Sequence, residues 1–278
     1  ACSCRTYHCR EQCTGRVAQY HSTQIVTVRN GRFMQQIFIN QSVKEQETFT
    51  VAGDDARHLS QVLRMRAGET LRVSTQAGDN YLCEIVALNK TEVTLRVLEK
   101  MASTELEKRI YLFQAIPKGD RMETVIEKAV ELGVYEIIPV EMKYCVVKLD
   151  DKKKASRLKR YQSIAEAAAK QSKRSSIPKI HDFMSYAEAV AYARQCDACI
   201  VPYECAEGME ATKRVLTKMA DASSISIMIG PEGGFADEEI EAVREDMDVI
   251  SLGSRILRTD TAAITTMSMV MLAIEMQG

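Results

Sequence analysis

Hydrophobic and polar residues alternate along short segments in the first part of the chain, from residue 36 onward. The clearest case is the run in which Val93, Leu95 and Val97 are separated by more polar neighbours. A period of two places alternate side chains on one face, which is typical of a β-strand with a single buried face. Turn residues at 77–80 and 89–90 separate this segment from similar ones, so several short strands are predicted.

One helical pattern interrupts these strands, in the sequence DDARHLSQVLRMRAGE at residues 54–69. Spacings of three and four residues predict a helix with Leu59, Val62 and Leu63 facing inward. Gly68 is expected to end it, because glycine commonly follows the last helical turn. Short strands with one helical insertion predict a small, mostly β, barrel-like domain.

Beyond residue 109 the pattern changes to strands that alternate with helices. The predicted strands are 110–116, 135–140, 198–203, 225–229 and 249–253. The predicted helices are 120–134, 155–172, 209–220 and 259–277, together with one that has Ile240, Val243 and Met247 on one face. In the helix at 120–134, Met122, Val125, Ile126 and Ala129 are expected to face inward. Regular alternation of this kind predicts a mostly parallel sheet covered by helices, and therefore an α/β fold.

The change in pattern defines the domain organisation that we predict. The β domain is expected at 34–102, a polar linker at 103–109 and the α/β domain at 110–278. Residues 1–33 show no sustained period, and a new start is visible at Met34. We interpret 1–33 as an added leader or a mistranslated upstream segment that is not part of the fold.

Composition restricts the class of protein and its compartment. The chain has 278 residues, 46% hydrophobic, with a net charge of −1. No apolar run approaches the roughly 18 residues of a membrane span, and the first residues lack the apolar core of a secretion signal. These observations predict a soluble, cytoplasmic protein that does not bind a membrane. Any contact with nucleic acid must then use a local basic patch.

Nine cysteines fall into two groups. An odd total without a secretion signal favours reduced thiols. Four of them crowd the start of the chain at Cys2, Cys4, Cys9 and Cys13, with a spacing that fits no zinc motif, although a zinc site there is an alternative. The pair Cys196 and Cys199 lies in an apolar run, which favours packing over redox chemistry. No metal site is predicted.

Unusual residues follow three of the predicted strands. They are Pro202-Tyr203-Glu204, Gly230-Pro231-Glu232-Gly233-Gly234 and Leu252-Gly253-Ser254-Arg255. In open α/β sheets ligands bind beyond the carboxyl ends of the strands. Neither the dinucleotide nor the P-loop glycine motif occurs, and the charge of Glu232 would repel a phosphate. The loops therefore predict a ligand that is neutral or positive there, and a plain strand-to-helix turn is the alternative.

The sequence SLGSRILRTDTAA, at residues 251–263, is dense in polar groups. Arg255 and Arg258 lie three residues apart, beside a Thr-Asp-Thr that can cap the last helix. As an alternative to a functional role, both arginines could be neutralised by Asp260 or by helix carbonyls.

A basic stretch between Lys143 and Lys179 contains twelve Lys or Arg and only three Asp or Glu. In a nearly neutral chain this local excess can attract a polyanion such as RNA. The alternative is a solvated helix face preceded by a flexible loop at 150–154. The β domain adds basic residues of its own: Arg57, His58, Arg64 and Arg66.

Several motifs together resemble the RsmE family, methyltransferases of small-subunit ribosomal RNA within the SPOUT superfamily. They are IGPEGGFADEEI, SLGSRILRTDTAA, HLSQVLRMRAGE, PKGDRMETVIEKAVELGVYEIIPV and AEAAAKQSKRSSIPKI. The resemblance covers residues 34–278. One departure is visible, because Tyr144-Cys145 stands where the family usually has an Arg-Ser or Arg-Cys pair. Lys143 is a candidate to replace the missing basic contact.

The resemblance implies a PUA-like RNA-binding β-barrel followed by a SPOUT domain with a trefoil knot. It implies a homodimer that uses S-adenosyl-L-methionine to methylate N3 of a uridine in the decoding region of 16S ribosomal RNA, free or in the assembled small subunit. We keep two alternatives: a non-catalytic RNA-binding protein of the same fold, and an α/β enzyme acting on a small nucleotide. The motif match selects Arg258 as the catalytic cation that stabilises charge on the uracil oxygens.

The matched loops also suggest which residues make the other contacts. Cofactor contacts are expected at Pro202, Tyr203, Ile229, Gly230, Glu232, Gly234, Leu252, Gly253, Ser254, Ile256 and Leu257. RNA contacts are expected at Arg57, Arg64, Lys118, Arg121, Lys143, Gln171, Lys173 and Arg174. Asp260 and Glu232 are candidates for the base that removes the N3 proton, and solvent is the alternative.

The last predicted helix carries apolar residues on more than one face between Ala262 and Met276. A helix that lies on a sheet needs only one apolar stripe. Self-association would cover the second face, and methionine side chains suit such a surface because they fill irregular gaps. Packing by neighbouring helices of the same subunit is the alternative.

Overall fold

The structure is a computed structural model that describes residues 34–206, 208–219 and 221–276. The leader predicted at 1–33, with its four cysteines, lies outside the described residues. Helices within these ranges include none that is both long enough and apolar enough to cross a membrane.

A five-stranded sheet forms the first part of the fold, in the order β1-β3-β4-β5-β2. Its strands are β1 (Gln36–Ile39), β2 (Thr48–Ala52), β3 (Thr70–Thr75), β4 (Asn80–Leu88) and β5 (Glu92–Met101). β1 runs parallel to β3, and the other pairs are antiparallel. Val93, Leu95 and Val97 are fully buried in its core, which confirms the strand pattern.

The helical insertion in this sheet is shorter than the sequence predicts. Helix α1 (Asp54–Arg57) continues into a π-helical turn at His58–Val62, where the amide of Leu63 donates to the carbonyl of His58 at 2.9 Å. A π turn contains an extra residue, so it rotates the side chains that follow. Leu59 is therefore fully buried, whereas Val62 is 68% exposed. The predictions that Val62 faces inward and that Gly68 ends the helix are wrong.

A second, seven-stranded sheet contains only parallel pairs. Its order is β12-β10-β11-β6-β7-β8, and β9 also pairs with β7. The strands are β6 (Arg109–Ala115), β7 (Glu136–Glu141), β8 (Lys179–Ile180), β9 (Met184–Ser185), β10 (Ala198–Pro202), β11 (Ser224–Ile229) and β12 (Asp248–Ile250). The mixed α/β fold with a parallel sheet is confirmed.

Within the described part of the chain, six helices pack with this sheet. They are α2 (Arg121–Glu131), α3 (Asp151–Ser172), α4 (Tyr186–Ala193), α5 (Glu210–Lys218), α6 (Asp237–Glu241) and α7 (Thr259–Glu275). The predicted inward face of α2 is buried, from Met122 to Ala129. α6 is shorter than predicted, although Ile240, Val243 and Met247 are all buried as the pattern indicated.

Helix α3 begins four residues before the predicted start at 155. The side chain of Asp150 accepts a hydrogen bond from the amide of Lys153 at 2.8 Å and so caps the first turn. The suggestion of a flexible loop at 150–154 is therefore wrong from residue 151 onward. The sequence signal was present, since an aspartate immediately before a helix is a common N-cap.

Polar contacts connect the two sheets. The side chain of Gln36 on β1 donates to the carbonyl of Arg174 at 2.7 Å, and Asn80 on β4 donates to the hydroxyl of Ser175 at 2.6 Å. The carboxylate of Glu105, in the segment between the sheets, pairs with the guanidinium of Arg174. The end of α3 is thereby held against the first sheet.

Candidate functional site

Three loops meet at one edge of the parallel sheet. β12, β10 and β11 are consecutive neighbours and run parallel, so their carboxyl ends lie side by side. These ends lead into the three loops that the sequence singled out, at 202–206, 230–235 and 251–258. The structure thus brings together segments that are distant along the chain.

Two adjoining pockets open between these loops. The first has a volume of about 410 Å³ and the second about 650 Å³, within the range of small-molecule sites. Glu204 and Ile256 line both. The first is lined by Arg121, Pro202, Glu204, Ile229, Gly230, Pro231, Glu232, Gly234, Phe235, Ile256, Leu257, Arg258, Thr259 and Ala262. The second is lined by Glu204, Ala206, Gly208, Met209, Ser251, Leu252, Gly253, Ser254, Arg255 and Ile256.

Ten of the eleven residues predicted to contact a cofactor therefore line one pocket or the other. The exception is Tyr203, whose ring packs edge-on against Phe235 with the ring centroids 6.3 Å apart. Tyr203 thus supports the wall of the first pocket through Phe235.

Two glycines at this edge adopt backbone conformations that other residues rarely take. Gly234 has φ +74° and Gly253 has φ +103°. A methyl group on Gly234 would also lie 2.5 Å from Oε1 of Glu204. At Gly230 a methyl group would lie 2.9 Å from the ring of Phe235. A side chain at Gly230 would have to displace the Phe235 ring, and one at Gly234 would require both an unfavourable backbone conformation and a shift of the Glu204 carboxylate. Both glycines line the first pocket with their backbone.

The start of α7 is tied to the glycine loop by one hydroxyl. Thr259 donates to the carbonyl of Gly230 at 2.7 Å and accepts from the side-chain amide of Gln114 at 3.0 Å. Thr259 therefore does not cap α7, whose N-cap Arg258 makes no side-chain capping bond. The prediction of a Thr-Asp-Thr cap is wrong, because the hydroxyl is used to hold the loop.

Glu232 is held inside the loop by two donors. Its Oε1 accepts from the backbone amide of Lys118 at 2.9 Å and from the guanidinium of Arg121. Burial by itself raises the pKa of Glu232, but these bonds and the charge of Arg121 outweigh it and lower the pKa. Glu232 is therefore ionised at neutral pH, and it is not freely solvated. Arg121, predicted as an RNA contact, lines the first pocket beside it.

The two arginines of the last loop have different positions. Arg258 lines the first pocket and Arg255 the second. Both are exposed, and within the described ranges neither side chain has a hydrogen bond or an ion pair. The alternative that Asp260 or helix carbonyls neutralise them is wrong. Oδ1 of Asp260 is buried without a hydrogen-bond partner, and Asp260 does not line either pocket.

The predicted RNA contacts differ in exposure and in the partners of their side chains. Exposed side chains include Arg57, Arg64, Lys118, Lys143 and Gln171. Among them Arg57 pairs with Asp54 at 3.2 Å, and Lys143 pairs with Glu238 at 2.5 Å. Lys173 is half-buried and donates to the carbonyl of Lys170 at 2.9 Å. Burial, and then the charge of Arg72, lower the pKa of Lys173.

Arg174 is not available to RNA, and its prediction is corrected. Its side chain is 4% exposed and pairs with Glu105. The same guanidinium donates to the carbonyls of Val130 at 2.8 Å and Val134 at 3.0 Å. Its donors are thus used inside the protein, where it holds α3 to the end of α2.

Sequence reasoning missed several residues at this edge. Glu204, Phe235, Thr259 and Ala262 line the first pocket, and Gln114 supports it. Glu204 was singled out as part of an unusual strand end but was not named as a cofactor contact. Gln114 carried a usable signal, because it is a polar residue within an otherwise apolar strand and is fully buried.

The cysteine pair has the structural role that was predicted. Cys199 is buried and its thiol lies 3.1 Å from the carbonyl of Ala193. Burial, with smaller contributions from Cys199 and Asp197, raises the pKa of the Cys196 thiol to about 12. A thiol that remains protonated is a poor nucleophile, so these contacts favour packing over redox chemistry for the pair.

Comparison with known proteins gives the family. The family model for an RNA methyltransferase domain matches residues 104–271, and that for an RNA methyltransferase PUA domain matches residues 51–98. A Bacillus subtilis protein named ribosomal RNA small subunit methyltransferase E is 35% identical over 243 residues, covering 84% of this chain and 95% of the relative. The chain belongs to the ribosomal RNA small subunit methyltransferase E family.

Solved structures agree with this family assignment. A crystal structure of a Neisseria gonorrhoeae ribosomal RNA small subunit methyltransferase E bound to S-adenosyl methionine is 28% identical, with a TM-score of 0.74. The match covers 85% of this chain and 96% of the Neisseria chain. A Legionella pneumophila methyltransferase in complex with the bound cofactor SAM is 29% identical, with a TM-score of 0.76 over 87% of this chain and 98% of its own.

Proposed function

We propose that this protein transfers a methyl group from S-adenosyl-L-methionine to N3 of a uridine in the decoding region of 16S ribosomal RNA. The observation that carries the proposal is the position of Arg258, an unpaired guanidinium within the described residues that lines the 410 Å³ pocket between the glycine loops. Family membership supports ribosomal RNA as the substrate, and the relatives that bind S-adenosylmethionine support the cofactor.

The residues of the pocket fit this cofactor. S-adenosylmethionine supplies a methyl group from a positively charged sulfonium and carries no phosphate. Glu204, exposed and without an ion pair among the described residues, gives the pocket a carboxylate that suits a cation, whereas Glu232 is already paired with Arg121. Gly230 and Gly234 bring backbone close to the cavity, and Ile229, Leu257 and Phe235 supply apolar wall.

Arg258 is the group that we assign to catalysis. Loss of the N3 proton leaves negative charge on the uracil, shared by O2 and O4. A fixed cation next to these oxygens stabilises that charge, which is an effect of about 2.7–4 kcal/mol for one well-placed donor. Arg258 is the N-cap residue immediately before α7, and its carbonyl accepts from the amide of Ala262 at 2.8 Å, so its backbone is held by this helix.

The N3 proton is released to solvent in this account. Glu232 is a weak base, because its bonds to Lys118 and Arg121 lower its pKa. Asp260 does not line the pocket. The pocket opens to the surface, so water can reach the uracil edge, and the rate of transfer should rise with pH as the uracil ionises.

The proposal includes the domain organisation and the assembly. Residues 34–102 would act as the PUA-like RNA-binding domain and 110–278 as a SPOUT domain with a trefoil knot, joined by the 103–109 linker. Two copies would associate through α7, and the protein would act in the cytoplasm. Leu272, 53% exposed on α7, supports the dimer because it leaves an apolar residue uncovered.

Calorimetry separates this function from its alternatives. We expect the protein to bind S-adenosylmethionine and not ATP, because the loops carry neither the dinucleotide nor the P-loop glycine motif that cradles phosphate. Binding of 16S ribosomal RNA without binding of S-adenosylmethionine would instead support the non-catalytic RNA-binding protein. Binding of ATP would support an enzyme acting on a small nucleotide.

A further inference from the structure

Tyr144 is an exposed aromatic residue beside the glycine loop. It lies in the turn that follows β7, at the carboxyl edge of the sheet, and is 45% exposed. Its own Cβ atom packs on Gly233, because a methyl group on that glycine would lie 2.9 Å from it. The neighbours of Gly233, Glu232 and Gly234, both line the first pocket. Tyr144 therefore stands next to the pocket and outside it.

Hydrogen bonds fix the turn that carries Tyr144 at the residues before and after it. The amide of Cys145 donates to the carbonyl of Met142 at 3.1 Å, and the amide of Met142 donates to the Cys145 sulfur at 3.4 Å. The amide of Lys143 donates to the carboxylate of Glu239, a buried residue, at 2.9 Å. Met142 and Cys145 are themselves buried. A flat ring on a rigid support loses little freedom when a partner stacks on it.

Lysines near this ring can meet a polyanion. The ammonium of Lys143 lies 5.6 Å from the ring centroid and also pairs with Glu238 at the surface, where phosphate can compete for it. Lys148 lies near enough for its charge to act on the adjacent Cys145 thiol. Lys118, whose amide donates to Glu232, is also exposed. The phenol itself has no hydrogen-bond partner in the described parts of the chain. Aromatic rings flanked by cations are the usual means of holding single-stranded nucleic acid, because bases stack while cations meet phosphates.

We infer that Tyr144 is a stacking platform for an unpaired base of the RNA substrate at the entrance to the pocket. The inference rests on the proposed function and adds a positioning residue to it. Stacking at this point holds the RNA strand next to Arg258, and a uridine must leave its own stack before N3 becomes accessible.

The absence of tryptophan from this sequence makes the inference directly measurable. Tyr144→Trp introduces a single tryptophan into the chain, and its fluorescence should be quenched when a 16S ribosomal RNA transcript is added. Tyr135→Trp is the matched control, since Tyr135 is 38% exposed but precedes β7 at the opposite end of the strand. We expect quenching by RNA in the first variant only.

Other quenching patterns would overturn the inference. Equal quenching of both variants would mean non-specific contact. Quenching by S-adenosylmethionine alone would place the ring over the cofactor. A change with protein concentration in the absence of RNA would indicate a second copy of the chain as the partner.

Methyl-transfer kinetics give an independent readout. Tyr144→Ala should raise the KM for RNA about tenfold, with an unchanged Kd for S-adenosylmethionine. Tyr144→Phe keeps the ring and should restore the original KM. If the wild-type protein methylates RNA and Tyr144→Ala has the same KM for RNA, the inference about Tyr144 is contradicted and the proposed function is not. A wild-type protein that transfers no methyl group would contradict the proposed function instead.

Discussion

Arg258 and Arg174 show how differently two arginines of one chain can be used. Arg174 is buried against Glu105, whereas Arg258 is exposed at the pocket with no ion pair among the described residues. The sequence separates Arg174 from Glu105 by 69 residues, so no local pattern pairs them. Arg258, in contrast, lies within a dense motif at a strand end. Sequence reasoning therefore selected an arginine that lines the pocket, and it misassigned Arg174, which is buried.

Replacement of Arg258 tests its catalytic role. Arg258→Ala should lower kcat for methyl transfer about 10²–10³-fold, because the charge on the uracil oxygens loses its cation. Single-turnover transfer to 16S ribosomal RNA measures this effect, and the Kd for S-adenosylmethionine should change little. Arg255→Ala is the matched control and should lose far less activity. Equal losses in the two variants would remove the special role of Arg258.

Substitution of Gly234 tests the loop as the cofactor site. Gly234→Val should abolish binding of S-adenosylmethionine, because valine is disfavoured at φ +74° and its side chain would meet the carboxylate of Glu204. The control is Gly78→Ala, which has a similar φ of +85° with nothing within 4 Å of the new methyl group. It should lose stability without losing cofactor affinity. Normal binding by Gly234→Val would exclude the loop as the pocket wall.

At the level of helices and strands, periodicity predicted most elements and missed those set by hydrogen bonding. The strand around Leu95 and the buried face of α2 followed their patterns. The π-helical turn at His58–Val62 did not, because an i to i+5 bond changes which side chains face inward. Thr259 resembled a helix cap, but its hydroxyl bonds to Gly230, which lies 29 residues away in the chain. Contacts of this kind are not encoded in local spacing.

The buried pair of Glu105 and Arg174 should stabilise the contact between the end of α3 and the segment that joins the two sheets. Glu105→Gln should lower the free energy of unfolding by about 3 kcal/mol at pH 7, because it leaves the buried guanidinium partly unpaired. Urea denaturation measures the change. Glu127→Gln is the control, since Glu127 is 50% exposed and its pair with Lys128 should contribute less than about 1 kcal/mol.

The pair of Glu105 and Arg174 also predicts that the free energy of unfolding depends on pH. Burial raises the pKa of Glu105, but the hydrogen bond and charge of Arg174 and the amide of Ser175 outweigh it and lower the pKa below the usual 4.5. A lowered carboxylate pKa adds stability above the unfolded value, and this stability is lost as pH falls through the folded value. The difference between wild type and Glu105→Gln should therefore be constant near neutrality and shrink below about pH 4.5. A difference that grows in acid would contradict this account.

At the scale of the whole molecule, the order of the parallel sheet could not be read from the sequence. Strand–helix alternation predicts a parallel sheet but gives no neighbours, and β11 in fact lies between β6 and β10. That order is what places the loops after β10, β11 and β12 together and so creates the pockets. The pocket loops were found because their sequences are unusual. Glu204 belongs to one of these loops but was not named as a cofactor contact, because its local sequence does not show that it lies at both pockets.

The dimer proposed for α7 is tested by adding charge to its exposed apolar residues. Leu272 is 53% exposed and Met276 is 83% exposed. Leu272→Glu combined with Met276→Glu should give a monomer that methylates poorly, because two carboxylates would be buried in the interface. Sedimentation equilibrium gives the mass. Val86→Glu is the control, since Val86 is an exposed apolar residue of β4. A fully active monomer would contradict the dimer.

The most direct test of the central claim is the chemical identity of the methylated nucleoside. Small ribosomal subunits, or 16S ribosomal RNA, that lack the modification are incubated with the protein and labelled S-adenosylmethionine, digested to nucleosides and analysed by mass spectrometry. The account predicts one methyl group per RNA, recovered as N3-methyluridine from the decoding region, and its loss with Arg258→Ala. A methyl group on a ribose, on carbon or on another base, or no transfer by a protein that binds the cofactor, would contradict it.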